Sequence, residues 1–487
     1  MIPDERIDGE VPITTAPEAA ERVPDDGVLC VSGFGSVGYP KAVPLALAAD
    51  DRERSLTVVS GGSTGPEIDQ ALVEADAIAR RFPFQTQSAS RTAINEGKIE
   101  FHDRHISRVG LETERGEFGE VDVAVIEAVA VGEWWLIPTT SIGATPSFVR
   151  AADRVIVEVN ERQPLELAGL HDVHRRELPP DRDPVPIDTP DERIGDPRVR
   201  FDPEKLAGVV RTAVRDTPYT FREPTDADRA IAATLVEVLD QEASRTGSDE
   251  LRLQFGVGSL GNALMGELGD LDAPGRTLSY FGEVIQDGLL DALDDGLIDA
   301  ASGTSLALSA EGQERLFADV ERYADRVVVR PGDVSNDPGL IERMNVIAVN
   351  AAVEVDLYGH VNSTHVRGTD IVSGIGGSGD FNRAAPLSIA TLPATAAGGD
   401  ISRIVPLATH VDHTEHDIDA VVTEYGVADL RGLGPSERAR ELIDIAAPAY
   451  RDALRAYLER ASRSGGHIPH HFETAFEWNR PADANRD

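Results

Sequence analysis

Twice along this chain an apolar run ends in a glycine-rich loop that opens onto a helix-forming stretch. The first loop is Gly33-Phe34-Gly35-Ser36-Val37-Gly38; the second is Gly256-Val257-Gly258-Ser259-Leu260-Gly261. They share the string Gly-Ser-(Val or Leu)-Gly, and each lies between a strand signal and a helix signal. Strand–loop–helix units in series build a mostly parallel sheet covered by helices. The repeat therefore predicts two related α/β domains facing each other across a cleft.

The rest of the chain fits that alternation. Gly27 to Gly33 and Leu56 to Ser60 read as strands, Lys41 to Asp50 as a helix, and Glu67 to Phe82 as an amphipathic helix. Val121 to Ala128 and Arg154 to Val159 are apolar enough to be buried strands. After a Pro-, Asp- and Arg-rich excursion over Glu177 to Pro197, a helix is expected over Pro203 to Val214, with Asp202 as its N-cap. The pattern restarts with a helix at Asp226 to Ser244 and a strand at Leu251 to Phe255, followed by a helix from Asn262. Strands are read at Asn345 to Asn350 and Ala420 to Glu424, and helices at Ser436 to Ala446 and Tyr450 to Ser462. Pro218 and Pro224 mark the break. The domains are read as 1–215 and 227–487, joined by a linker over 216–226.

Charge limits the partners. The chain of 487 residues has 46 Lys plus Arg against 85 Asp plus Glu, a net charge of -39. Such a field repels nucleic acid and anionic membranes. The acids are spread along the whole length and arginine far outnumbers lysine, a pattern that fits a cytoplasm at high salt, where screening shortens to a few ångströms. The single cysteine, Cys30, lies in an apolar run and reads as a buried strand residue. The first residues lack the basic and apolar segments of a signal peptide, and no run approaches the ~20 apolar residues that span a bilayer. A soluble cytoplasmic protein is the expectation.

Three motifs compete for a function. Gly33 to Gly38 matches Gly-x-Gly-x-x-Gly, but the next strand ends in Ser60-Gly61-Gly62 without an acid for a ribose, and Tyr39-Pro40 intrudes where a pyrophosphate would sit. A tight turn is the preferred reading. Gly61-Gly62-Ser63-Thr64-Gly65 matches a nucleophile elbow, with Asp412 and His413 as the downstream partners a serine esterase needs. The run His410-Val411-Asp412-His413-Thr414-Glu415-His416-Asp417 looks metallophilic, but its spacing does not keep the histidines on one helix face and no second cluster supports it. No metal site is expected.

The remaining constellation surrounds Glu283. In Ser279-Tyr280-Phe281-Gly282-Glu283-Val284-Ile285-Gln286-Asp287-Gly288 a carboxylate sits at a strand–helix junction. The Gly256-Val257-Gly258 loop lies upstream and Gly374-Ile375-Gly376-Gly377-Ser378-Gly379-Asp380-Phe381 downstream. A carboxylate can attack a carbonyl, and free backbone amides can hold the oxyanion that forms, so the set suits acyl transfer.

These motifs, with Gly38-Tyr39-Pro40-Lys41, Ser63-Thr64-Gly65-Pro66, Val334-Ser335-Asn336, Asp356-Leu357-Tyr358-Gly359-His360, His410-Val411-Asp412-His413 and Thr423-Glu424-Tyr425-Gly426, resemble the acetyl-CoA hydrolase/transferase family in order over nearly the whole chain. The likeness is strongest to its succinyl-CoA:acetate CoA-transferases. It implies two CoA-transferase-type α/β domains with the active site between them, Glu283 as nucleophile, and the amides of Val257 and Gly377 as oxyanion donors. It also implies that Asn336 contacts the acyl-enzyme and that Glu424 lies in the carboxylate pocket. Phe255, Gly256, Val257, Gly258, Ser373, Gly376, Gly377 and Ser378 would line the coenzyme A site. The substrates implied are acyl-CoA and small carboxylates, with no metal or redox cofactor, in a homodimer. A hydrolase using the same glutamate is the alternative. Two positions depart from the family. A linker arginine is replaced by Thr217, with Arg215 two residues earlier, and a lysine near coenzyme A is replaced by Ala397.

Overall fold

The first Gly-Ser-Val-Gly loop follows a strand at Asp26–Val31 and precedes a helix at Ala42–Ala48, and the second lies between a strand at Glu250–Phe255 and a helix at Ser259–Glu267. The computed structural model describes residues 3, 5–217, 222–256, 258–270 and 276–479. By backbone proximity the chain forms two units. One comprises 1–220, 278–344 and 373–380; the other comprises 221–277, 345–372 and 381–487.

In the first unit a ten-stranded sheet runs in the order Leu206–Thr212, Arg154–Asn160, Val121–Gly132, Asp26–Val31, Ser55–Ser60, Ile78–Phe82 and Glu100–Phe101, with two short strands added to Val121–Gly132 and a third paired to one of those two. Every pairing along that path is parallel. Its longest strand, Val121–Gly132, is mainly apolar and buried on both faces, as a parallel sheet with helices on each side requires. Leu29, Val31, Val58, Val123, Val125 and Ile156 form the core between sheet and helices. The strands Thr277–Phe281, Ala300–Gly303 and Val327–Val329 pair in parallel. Residues 278–344 join this unit through backbone bridges Ser141 to Ser305, Gly143 to Pro331 and His171 to Val329. Buried Arg330 adds to the tie: it pairs with Asp172 and donates to the Pro190 carbonyl at 2.9 Å.

The second unit has parallel strands Glu250–Phe255, Val346–Ala351, Leu387–Thr391 and Ala420–Thr423, closed by the antiparallel Gly426–Asp429. Helices Pro435–Asp444 and Pro448–Ser464 pack Leu442, Ile443, Leu454 and Tyr457 into its core. The long helix Asp226–Thr246 opens with a capping box in which Thr225 and Asp228 satisfy each other's backbone amides.

Two expected helices are corrected. Glu67 to Phe82 is not continuous: Pro66–Asp69 and Ala71–Glu74 are short helices, Asp76 adopts φ 55°, and Ile78–Phe82 is a strand. Pro203 to Val214 is also mainly strand. Asp202 caps a single 3₁₀ turn, accepting from the Glu204 amide at 3.0 Å, and Leu206–Thr212 then extends beside Arg154–Asn160. In both stretches the β-branched or aromatic residues complete the sheet, and tertiary pairing overrides the local start signal. Among the described residues no helix is long and apolar enough to cross a membrane.

Candidate active site

The first unit brings together Glu283, Asn336 and the loop of residues 374–380. Glu283 leaves strand Thr277–Phe281 and precedes helix Asp287–Asp294. Its backbone is pinned. The Glu283 carbonyl accepts from the amides of Thr304 at 2.6 Å and Ser305 at 3.1 Å. A Cβ on Gly282 would lie 2.3 Å from the Tyr280 hydroxyl, and one on Gly303 would lie 2.9 Å from the Glu283 carbonyl oxygen. The Tyr280 hydroxyl in turn donates to the Val284 carbonyl at 3.2 Å. These contacts aim the side chain before any ligand arrives.

The carboxylate is held from two sides. Asn336 Nδ2 donates to Glu283 Oε1 at 2.9 Å, and Ser335 Oγ orients that amide by donating to Asn336 Oδ1 at 2.9 Å. The Gly377 backbone amide donates to the same carboxylate. Asn336 is buried, whereas Glu283 keeps some solvent contact as a whole residue. Its carboxyl group, enclosed by these partners, sets the electrostatics. Burial pushes the Glu283 carboxyl up to about 7; the Asn336 bond opposes the rise, the charge of Asp380 adds to it, and the Gly377 amide opposes it. Near neutrality the group is poised between acid and nucleophile.

Asp380 is the part of this site that the sequence concealed. A cap on its own helix is the simple expectation for an acid there. Its carboxylate instead accepts from the Ser107 amide at 3.0 Å and the Ser107 hydroxyl at 2.6 Å, so it caps helix Ile106–Glu114 across 273 residues of sequence. The residue before that helix, His105, supplies no side-chain cap of its own. Burial raises the Asp380 carboxyl, and the Ser107 bonds, His105 and Asn336 pull it back. Asn336 thus bonds two carboxyl groups at once. The same loop is fixed by Asp103, which accepts from the Ile375 amide at 2.5 Å, and by Phe84, whose ring would lie 2.5 Å from a Cβ on Gly374. Gly376 takes φ 56°, a left-handed conformation that suits glycine.

Opposed pH shifts are expected from the two neighbours. Asn336→Ala removes a bond that favours the ionised form, so the pH profile of any step that needs the Glu283 carboxylate should move up from about 7. Asp380→Asn removes a repelling charge, so the profile should move down. Rate against pH for both variants checks this; shifts in the same direction would contradict the assigned causes.

The other candidate residues lie as follows. Ser373, Gly376, Gly377 and Ser378 belong to the first unit; Ser378 Oγ donates to the Ile375 carbonyl at 2.6 Å. Phe255, Gly256, Gly258 and Glu424 belong to the second. Phe255 ends its strand in the core, the Gly256 amide donates to the Val349 carbonyl at 3.1 Å, and Gly258 takes φ 140°. Val257 and Pro218 lie outside the described residues. Glu424 Oε2 accepts from the Ala394 amide at 2.7 Å, and its charge favours the charged form of Arg403, which burial opposes. Arg215 pairs with Glu314 at 2.9 Å, Thr217 is exposed, and Ala397 begins a tight turn with φ 51°.

The competing motifs are absorbed structurally. The Gly33 to Gly38 loop is a closed turn, with the Phe34 amide on the Val37 carbonyl at 3.1 Å. The helix start that would receive a pyrophosphate is filled by the protein itself: Glu158 accepts from the amides of Lys41, Ala42 and Val43 at 2.8, 3.0 and 2.6 Å. Ser63 is buried, and Asp412 is engaged by Thr364, Ser363 and His410. Among the described residues no group of three or more His, Cys, Asp and Glu side chains is arranged to hold a metal ion.

Comparison with known proteins places the chain in a family. Residues 10–190 match the model of the acetyl-CoA hydrolase/transferase N-terminal domain, and residues 312–458 that of the C-terminal domain. The chain is 42% identical to a succinyl-CoA:acetate CoA-transferase of Clostridium kluyveri, over 96% of this chain and 88% of that protein. It is 40% identical to an acetyl-CoA hydrolase of Yarrowia lipolytica, over 92% of this chain and 90% of that protein. Its fold resembles RipA from Yersinia pestis, with a TM-score of 0.72 at 23% identity, covering 92% of this chain and 97% of that one.

Proposed function

Because the chain belongs to the acetyl-CoA hydrolase/transferase family, and is an enzyme of that family, we propose that it moves coenzyme A from an acyl-CoA to a small carboxylate through Glu283. The donors proposed are acetyl-, propionyl- or succinyl-CoA, and the acceptor is an acid such as acetate. The observation that carries this reading is the Glu283 carboxyl, pushed up to about 7 and gripped by Asn336 and the Gly377 amide.

The steps balance without an added reagent. The ionised carboxylate attacks the thioester carbon, the C–S bond breaks, and an acyl-glutamyl anhydride forms with free coenzyme A thiolate. The thiolate attacks the glutamyl carbonyl, the first carboxylate leaves, and a glutamyl-CoA thioester remains. A second carboxylate then reverses both steps. Each tetrahedral oxyanion needs donors, and one donor is typically worth ~3–4 kcal/mol. The amides of Gly377 and Val257 are proposed for this task, with Asn336 steadying the acyl-enzyme and Glu424 beside the acceptor acid. Phe255, Gly256, Gly258, Ser373, Gly376 and Ser378 are proposed to line the coenzyme A site. Positioned carboxylates gain effective concentration, which offsets their weak nucleophilicity.

Two measurements test the reading. Borohydride with acyl-CoA should reduce the thioester and leave Glu283 as an alcohol, found by peptide mass. Coenzyme A release should be much faster with a second carboxylate present than without. Equal release would favour the hydrolase reading, which the likeness to the Yarrowia lipolytica hydrolase supports. Labelling of Ser63 by a fluorophosphonate with loss of activity would replace both.

The two family models, matching 10–190 and 312–458, support the proposed division into sequence domains 1–215 and 227–487, which the contact units cross. A cytoplasmic homodimer adapted to salt completes the proposal. With a net charge of -39, the fold should lose stability on transfer from molar KCl to dilute buffer and regain it on return. Melting curves against KCl check this; full stability in dilute buffer counts against salt adaptation.

A further inference from the structure

A hollow of about 700 Å³ opens in the first unit between helix Thr145–Ala151, residues 173–175 and the run from Ile194 to Lys205. Its wall inverts the chemistry of the chain. Arg150, Arg175, Arg198, Arg200 and Lys205 face it against only Asp196 and Asp202, in a protein with 46 cations to 85 acids. Three of these cations have carboxylate partners. Arg150 pairs with Glu114 at 2.7 Å, Arg200 with Asp196 at 2.9 Å, and Arg175 stands 3.5 Å from Glu177.

Arg198 and Lys205 differ. Among the described residues neither has a carboxylate partner. Lys205 Nζ donates to the Arg150 carbonyl at 2.7 Å, which leaves its charge uncompensated. The Arg198 guanidinium lies 4.9 Å from the centre of the Trp135 ring, and its buried Nε makes no hydrogen bond. Two cations without carboxylate partners beside one hollow repel each other, and an anion bound there would relieve the repulsion. The wall is also apolar at Pro146 and Phe201, with buried Val149 behind them, which suits a planar body beside the charges.

We propose that this hollow binds a nucleoside polyphosphate, with its phosphates on Arg198 and Lys205 and its base against Phe201 and Pro146. A singly charged anion would gain little against a field of -39, whereas a polyphosphate can engage both cations bidentately or in series. The volume lies within the range of small-molecule sites. The site is separate from Glu283 and does not rest on the reading of its reaction.

The test is calorimetric titration of the whole protein with ADP, with coenzyme A held saturating because coenzyme A itself carries an adenosine diphosphate. One ADP per chain is expected. The double variant Arg198→Gln, Lys205→Gln should weaken it about tenfold or more, whereas Arg211→Gln, which breaks a pair with Glu161, should not. The double variant should keep its rate of coenzyme A transfer measured without ADP. On the wild-type protein, ADP affinity should fall as KCl rises, while adenosine alone should not bind measurably. Absence of saturable binding, binding undiminished in the double variant, or pyrophosphate binding as tightly as ADP would each overturn the assignment. Exclusion of ADP by coenzyme A would place the hollow in the acyl-CoA site and overturn the proposal of a separate one.

Discussion

Replacing Glu283 by Gln should reduce coenzyme A transfer by about 10⁴-fold or more, because the variant lacks the one atom proposed to bond to the acyl carbon. A second readout separates this from damage to the fold. The Glu283 carboxyl is raised in the folded protein to about 7 from an ordinary value of 4.5. Below the ordinary value it is protonated in both states and costs nothing. As pH rises toward 7 the unfolded chain ionises first, so the folded state loses relative stability, and above 7 the full penalty persists. Gln carries no such penalty. The melting temperature of Glu283→Gln relative to wild type should therefore be more favourable at pH 8 than at pH 5. The variant loses one acceptor for the Gly377 amide at every pH, so the difference between the two pH values is the quantity to read. A dead enzyme whose relative stability is flat with pH would mean that the carboxyl is not enclosed as described. Glu283→Asp offers an intermediate case. Its carboxyl withdraws by about one bond, and misplacement by ~1 Å can cost ~10²-fold.

The sequence exposes this glutamate because its signals are local: an apolar run, a glycine, an acid, and a helix with Asp287 in its first turn. The glycine loops are legible for the same reason. What escapes is whatever depends on partners far along the chain. Asp380 meets Ser107 across 273 residues, and nothing near either one announces it. Glu158 fills the helix start at Lys41 across more than a hundred, which turns an apparent dinucleotide fingerprint into a self-capped turn. The misread helices fail at the opposite scale. Pro66 and Asp202 do begin helical turns, as their types predict, but the runs after them, Ile78–Phe82 and Leu206–Thr212, are claimed by neighbouring strands. Local chemistry sets where an element starts; the sheet decides how far it extends. The grouping of residues 278–344 with the N-terminal half is likewise set by bridges such as Ser141 to Ser305, which leave no trace in composition.

Gly377→Ala should be the next most damaging change after loss of Glu283, the proposed nucleophile, and for a reason that isolates geometry. A Cβ built on Gly377 lies 2.1 Å from Glu283 Oε2, 2.2 Å from its Cδ and 2.5 Å from its Oε1. All three neighbours belong to the Glu283 carboxyl group, so the only way to admit a methyl is to move the proposed nucleophile or its loop. Backbone strain is not the cause, because Gly377 does not take the left-handed conformation that Gly376 takes at φ 56°. The alanine should therefore cost about 10²-fold or more in the rate of acyl-enzyme formation, the scale expected for misplacing a reacting group by ~1 Å. Its melting temperature should fall little, since the clash is with the far end of one side chain, which can swing aside without moving backbone. Gly376→Ala gives the contrast: its Cβ meets only the edge of the Phe84 ring at 3.3 Å, so its cost should come from the strained backbone and appear in stability as well as rate. Single-turnover kinetics with acyl-CoA, borohydride trapping and thermal melts on the two variants distinguish the effects. A Gly377→Ala enzyme that formed acyl-enzyme at the wild-type rate would show that Glu283 leaves the Gly377 amide before it attacks.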